Sequence, residues 1–343
     1  MSNGRIRMED LAARCGVSVA TVSRVLADKP GVRADLRAQV RDMAATLGYA
    51  MSSGVAGKTA VLVASRAAMV DAARSQFTLH VLEGMQNRAA ALGMNLETRT
   101  MADDFSDTFQ SGDGAAGYLL LTPDSDAQIA FAADIGKPVI LVNVDDPMMR
   151  LSSVAPCNRT AADRATDHLI RQGHRRILFL TRPGRRTIER RREGWADRIA
   201  AEGLSPDPDL VLEVDDWRPE LAAQAIHARL ARGARDFTAI LAAGDSLAIG
   251  ALIALAEAGV SVPDDVSVMG FDGLPQCALQ SPALSSVEIP MGAIGALALD
   301  LLRDSLIGGE TPARRVELAC RIVDRASVGP VRTLPGAALK GVV

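Results

Sequence analysis

The sequence predicts a small all-α head joined by a short linker to a larger α/β body of parallel sheets arranged as two lobes. Three observations carry this prediction. Helical patterns occupy the first 47 residues, strand and helix patterns alternate from residue 59 onward, and the small, polar stretch MSSGVAGK (51–58) separates the two regimes. A chain of 343 residues has room for two or three compact units.

In the head, MEDLAARC places acids in a first helical turn, where the helix dipole favours them. Gly16 supplies a turn, and Ser18 is placed to cap SVATVSRVLA. After the break at DKPG, RADLRAQVRDMAATLGY keeps a helical period up to Gly48. On a helical wheel Val22, Val25 and Leu26 share one face, with Leu11, Val40 and Leu47 available as core partners. Val19, Ala20, Ser23 and Arg24 face the other way. Small side chains there let a helix approach a surface closely, hydroxyls can bond phosphate, and an arginine fork matches guanine O6/N7. The helix N-terminus adds its own attraction for phosphate.

From residue 59, TAVLVAS, MNLETRT, GYLLLT, PVILVNV, RRILFLT, PDLVLEV, FTAILAAG, DVSVMGF and LSSVEIP read as strands. Amphipathic stretches such as HVLEGMQNRAAALG, ERRREGWADRIAAEG and SLAIGALIALAEAG lie between them. That alternation calls for parallel sheets with helices on both faces. The tail, 331–343, carries no heptad pattern.

Composition narrows the function. Apolar residues make up 48% and charged residues 23%, ordinary values for a globular chain with a substantial core. No apolar run approaches the roughly 20 residues that span a bilayer, and the N-terminus has no apolar signal region, so a cytoplasmic location is expected. Four scattered cysteines show no metal spacing, so neither a metal nor a cofactor is expected. Charge is uneven: residues 1–58 hold nine Lys/Arg against five acids, on a chain of net charge −3. A basic head on an acidic body suits a head that meets a polyanion. The letters GDSL at 244–247 match a hydrolase nucleophile block, but none of the four histidines has an Asp three residues before it. No GxGxxG follows a strand, so a dinucleotide-dependent enzyme is not expected either. No catalytic residue is assigned.

The segment RMEDLAARCGVSVATVSRVL resembles the helix-turn-helix of the LacI/GalR family of bacterial transcription regulators, and GVS-x-x-TVSRV is nearly diagnostic. Further along, HLIRQGHRRILFL, EGWADRIAAEG, GDSLAIGALIAL, GVSVPDDVSVMGFDG and SPALSSVEIP sit in family order. The resemblance implies a body with the type I periplasmic-binding-protein fold, two lobes joined by three crossovers with a ligand between them. The expected division is a head over 1–49, a linker over 50–58, a body over 59–330 and a tail over 331–343. Within the body the first lobe takes 59–155 plus 286–315, and the second takes 156–285 plus 316–330.

The resemblance also implies roles. Val19 and Ala20 open a recognition helix and touch base edges, Arg24 reads further along, and Ser18, Thr21 and Ser23 hold phosphates. Family members usually follow the residue equivalent to Tyr49 with Pro-Asn and a hinge helix whose leucine wedges into the minor groove. Here AMSSGVAG lacks both, leaving only Met51 or Val55 as a wedge. For the effector, strand-end positions Asn143 and Asp272, with Arg191, Trp217 and Asp245, are the candidates. Asp272 suits the hydroxyls of a sugar or polyol, Trp217 the face of a sugar ring. Gly244 stands where the family has asparagine beside Asp245. Phe77 and Gln76 are placed in a loop at the cleft mouth. The chain therefore reads as a homodimeric regulator of a pseudo-palindromic operator, answering to a sugar or polyol. The alternatives are a nucleobase corepressor, or a sugar-binding protein that does not touch DNA.

Overall fold

The computed structural model describes residues 7–26, 31–47, 54–70, 72–102, 104–109, 112–123, 125–233, 235–309 and 311–332. Three helices form the head: α1 (Met8–Cys15), α2 (Val19–Leu26) and α3 (Ala34–Thr46). Gly16 ends α1 in a left-handed conformation (φ +65°), which costs a glycine nothing. The Ser18 hydroxyl then caps α2, accepting the Thr21 backbone N–H at 3.1 Å. Leu11, Ala12, Cys15, Val22, Val25, Val40 and Ala44 close a core of their own, with Leu26 and Leu47 packed against it. The apolar stripe that periodicity predicts on α2 is the buried one.

The body follows as β1 (Thr59–Ala64), α4 (Arg66–Val70), α5 (Ala72–Leu92), β2 (Asn95–Thr100), β3 (Ala115–Leu121), α6 (Asp126–Ala133), β4 (Val139–Val142) and β5 (Ser152–Pro156). The chain then crosses into α7 (Asn158–Arg171), β6 (Ile177–Thr181), α8 (Arg186–Ala201), β7 (Val211–Glu213), α9 (Pro219–Leu230), β8 (Ala239–Ala242), α10 (Asp245–Glu257), β9 (Ser267–Asp272) and β10 (Ser285–Glu288). It returns through α11 (Met291–Gly308) and β11 (Arg315–Leu318) and ends in β12 (Arg321–Val323). The strands form two six-stranded sheets, in the orders β11-β5-β4-β3-β1-β2 and β12-β10-β9-β8-β6-β7. Pairing is parallel except between β10 and β12. Three crossovers join the lobes, after β5, β10 and β11.

All nine predicted strands are strands. The lobe boundaries differ from expectation: β10 belongs to the second sheet and β11 to the first, so the second and third crossovers fall a few residues later than 286 and 316. Strand pairing decides this, since Val287 lies beside Phe271 of β9 and Val316 beside Val154 of β5. Helices pack at backbone distance where glycines permit it. A Cβ on Gly84 of α5 would run into the Gly292 carbonyl of α11, and one on Gly194 of α8 into the Arg159 carbonyl of α7.

Val55 needs a correction. Its side chain is fully buried in the main hydrophobic cluster of the body, and its carbonyl accepts the Lys58 N–H at 3.0 Å. Burying a valine is worth about 1.5–3 kcal/mol, so a wedge at this position would have to give up that packing. Met51, Tyr49 and the tail from 333 lie outside the described residues.

Candidate functional site: an exposed helix face and an interlobe cavity

On α2, Val19, Ala20, Ser23 and Arg24 are exposed and Thr21 is half-buried, on the side away from the head's core. Val19 is 40% exposed, unusual for a valine in so small a domain. The Ser18 hydroxyl bonds that of Thr21 at 2.9 Å, so the pair sits together at the helix start, beside backbone N–H groups that have no partner within the helix. The face is narrow, lightly furnished and basic at one end.

The second candidate lies between the lobes. One cavity is lined by Ala68, Phe77, Thr78, Thr122, Asn143, Arg185, Thr187, Ile188, Arg191, Trp217, Ser246 and Asp272. The structure thus brings together four of the five expected effector residues: Asn143 from the first lobe, and Arg191, Trp217 and Asp272 from the second. Phe77 joins them, but from α5 rather than a loop; Gln76 does not line the cavity. The threonines and Ser246 give no signal in the sequence. They line the cavity because the fold places them there.

Arg191 organises the second-lobe wall. It is only 4% exposed, donating from Nε to Asn158 Oδ1 at 2.8 Å and from Nη1 to the Ala243 carbonyl at 2.5 Å. Nη1 also reaches Asp272 Oδ1 at 3.2 Å, and the guanidinium lies 3.7 Å over the Phe271 ring. Asp272 closes β9 with φ +124°, a strained value for a residue with a side chain. Burial pushes its carboxyl up to about 7; Arg191 opposes that rise and Asp245 adds to it.

Asp245 stands behind this wall and does not line the cavity. It is fully buried, accepting the Ser286 hydroxyl at 2.5 Å and the Leu274 N–H at 2.8 Å. Its carboxylate occupies the space beside Gly270 that a Cβ there would fill. The neighbouring Ser246 faces the cavity instead. Gly244 also has a steric reason: a Cβ would come within 3.0 Å of the Trp217 ring.

Two buried polar atoms at the cavity wall have no hydrogen-bond partner, Asn143 Oδ1 and Trp217 Nε1. Buried groups of this kind are normally satisfied, so an acceptor and a donor stand ready on opposite lobes. Asn143 is held with φ +58°, a conformation asparagine tolerates well. The cavity itself offers only about 70 Å³, well below the roughly 300–1,000 Å³ of ordinary ligand pockets. Ion pairs join the two lobes beside it.

A cluster of arginines latches them. Asp145, just beyond β4, accepts from Arg186 Nε at 3.0 Å and lies 3.6 Å from Arg190 Nη2, both on α8 of the second lobe. Arg315 of β11 approaches the same carboxylate at 3.3 Å.

A helix-turn-helix head on a two-lobed ligand-binding body defines a DNA-binding transcriptional regulator with an effector domain. Residues 7–52 match the model for bacterial regulatory proteins of the lacI family, and residues 166–328 that for a periplasmic binding protein-like domain. An HTH-type transcriptional regulator of Streptomyces lividans, reg1, is 30% identical over 325 residues, covering 91% of this chain and 92% of its own. The transcriptional repressor PurR of Photorhabdus laumondii is 25% identical, covering 94% and 96%. Among solved structures, a complex of the transcriptional regulator CelR with cellobiose aligns with a TM-score of 0.72 at 27% identity, over 94% of this chain and all of that one. The chain belongs to the lacI family.

Proposed function

We propose that the protein is a homodimeric repressor, acting in the cytoplasm without enzymatic activity, which reads a pseudo-palindromic operator through α2 and releases or gains it when a sugar or polyol binds between the lobes. The observation that carries the effector class is the cavity lining. Asn143, Thr78, Thr122, Thr187, Ser246 and Asp272 offer hydrogen-bond donors and acceptors, while Trp217 and Phe77 offer apolar faces. That combination suits a ring carrying hydroxyls on its edges. The cellobiose bound by a relative of similar architecture supports the same class. A nucleobase is the second reading, favoured by the resemblance to PurR and by the arginine–aspartate pair.

A thermal-shift screen of the full chain against sugars, polyols, sugar acids and nucleobases tests the effector. A true ligand at 100 times its Kd stabilises by about 2.7 kcal/mol, and that gain should vanish in Asp272→Ala. Stabilisation by a nucleobase and by no sugar or polyol would replace the first reading with the second.

For the head, Val19 and Ala20 are proposed to touch base edges, Arg24 to read a guanine, and Ser18, Thr21 and Ser23 to hold phosphates. Arg24→Ala is expected to cost about 1–3 kcal/mol on an operator selected from random duplexes, with little change on non-specific DNA. Fluorescence anisotropy at fixed salt measures both, and equal losses on the two would assign Arg24 to the backbone.

Effector affinity should depend on pH. The ionised Asp272 accepts hydroxyl hydrogens with the strength of a charge on both oxygens, whereas protonation turns one oxygen into a donor, and burial raises its carboxyl to about 7. Binding is therefore strongest above that value and weakens as pH falls through it, by at most about tenfold per unit, or 1.36 kcal/mol. Titrations of the screened ligand at pH 8 and pH 6 measure the difference; equal values would remove Asp272 from the contact.

A further inference from the structure

Two of the four free cysteines stand at the crossovers between the lobes. Cys157 follows β5 and caps α7, while Cys320 sits between β11 and β12. β5 and β11 are paired in parallel, with Pro156 beside Leu318. Both cysteines then meet at one carbonyl: the Cys157 N–H donates to Leu318 O at 2.9 Å, and Cys320 Sγ lies 3.9 Å from the same oxygen. Cys157 is half-buried, so small reagents reach it, whereas Cys320 is 6% exposed. The Arg164 side chain holds the Cys320 carbonyl at 3.1 Å, and Asn158, next to Cys157, is the acceptor for Arg191 Nε.

We propose that Cys157 and Cys320 form a reversible disulfide, driven by hydroperoxides, which staples two of the three interlobe crossovers to each other. The chemistry is divided between the two sulfurs. Cys157 is the more exposed of the two, and the neighbouring Cys320 lowers its pKa, so its thiolate is the attacking group. Its place at the start of α7 favours that charge as well. Cys320 is raised by the Cys157 group beside it and by burial, and keeps its proton. The Cys157 thiolate attacks the terminal oxygen of the hydroperoxide and the O–O bond breaks. The alkoxide or hydroxide that leaves takes a proton, and Cys157 becomes a sulfenic acid. The Cys320 sulfur then attacks the Cys157 sulfur, the S–O bond breaks, and the departing hydroxide takes the Cys320 proton as water. Two thiols and one hydroperoxide give one disulfide, one alcohol (or water) and one water, with two electrons passing to the O–O bond. Exchange with an external dithiol reverses the step.

The consequence for the fold rests on the reading that the lobes open about these crossovers. A covalent bond there ties two of the three crossovers together, so the lobes of the oxidised protein turn against each other less freely. Cys15, buried in the head, and Cys277, raised by burial beside Asp245, are poor competitors for the oxidant.

The test uses the full chain treated with hydrogen peroxide at pH 7, followed by thiol titration, peptide mapping and hydrogen exchange. The expected result is a fall from four free thiols to two, a linked peptide pair carrying residues 157 and 320, and full recovery with dithiothreitol. Amides of Ala155, Cys157 and Asn158 and of residues 318–321 should exchange at least tenfold more slowly in the oxidised protein. Cys157→Ser and Cys320→Ser should each lose all of these changes. A link to Cys15 or Cys277, oxidation of Cys157 to sulfinic acid without pairing, or unreacted thiols in folded protein would overturn the disulfide. A 157–320 link that leaves crossover exchange unchanged would overturn the staple. None of these readouts needs operator or effector, so a failure of the functional reading would be seen separately.

Discussion

Replacing Arg191 with alanine is expected to lower the stability of the protein by about 3–5 kcal/mol, the usual cost of removing one member of a buried ion pair, and to abolish the effector response. The substitution takes away three hydrogen bonds and a stacked cation at once, leaving Asn158 Oδ1, the Ala243 carbonyl and the Asp272 carboxylate without their donor. Lysine should not rescue it, because a single ammonium cannot serve Asn158 and Asp272 together as the planar fork does. The loss should depend on pH. Asp272 already titrates near 7 in the folded protein, raised by burial above its ordinary 3.8. A raised carboxyl binds protons in the folded state, so its favourable contribution is complete at low pH and is lost as pH rises through the folded value. Without Arg191 that value climbs further, and the gap between variant and wild type widens from pH 5 to pH 8. Urea unfolding at the two pH values measures it. A deficit below about 1 kcal/mol at pH 8 would show that Arg191 is not the organising group of the second-lobe wall.

The other large effect concerns closure. Asp145→Ala should shift the balance between closed and open lobes by about 2 kcal/mol, roughly 30-fold, since the carboxylate serves two arginines of the second lobe and one of the first. The figure lies below that for a fully buried pair because Arg186 and Arg190 retain about a third of their exposure and are screened by solvent. Small-angle scattering should report a larger radius of gyration for the variant. Effector should also bind faster, since the closed cavity is too small to admit one. An unchanged radius of gyration would leave closure to other contacts.

Much of the fold is legible in the sequence, because periodicity alone separates the head's buried stripe of Val22 and Val25 from its exposed Val19 and Arg24. The nine predicted strands are runs of apolar residues bounded by turns. The strands that sequence reading misses are β5, β11 and β12, whose segments SSVAP, RVEL and RIV are short or broken by polar residues. They exist because of what they pair with, and long-range pairing leaves no local mark. For the same reason two crossovers fall later than expected. Around the interlobe cavity Asn143, Arg191, Trp217 and Asp272 stand out as unusual residues at strand ends or helix starts. Asp245 has the same appearance yet points inward, and the clue was Gly270, whose missing side chain makes room for its carboxylate. The cavity threonines and Ser246 are invisible beforehand, since nothing distinguishes a hydroxyl facing the cavity from one facing water. Val55 is misread because a lone apolar residue in a linker gives no hint of which surface will claim it.

Each of the two sheets satisfies its strand hydrogen bonds within its own lobe. Swinging one lobe against the other therefore disrupts no strand ladder; what resists is side-chain packing between the lobes and a few torsions. The angle between the lobes is thus the one coordinate that strand pairing leaves free. Under the proposed function, a small solute of modest association energy has only those contacts to outweigh.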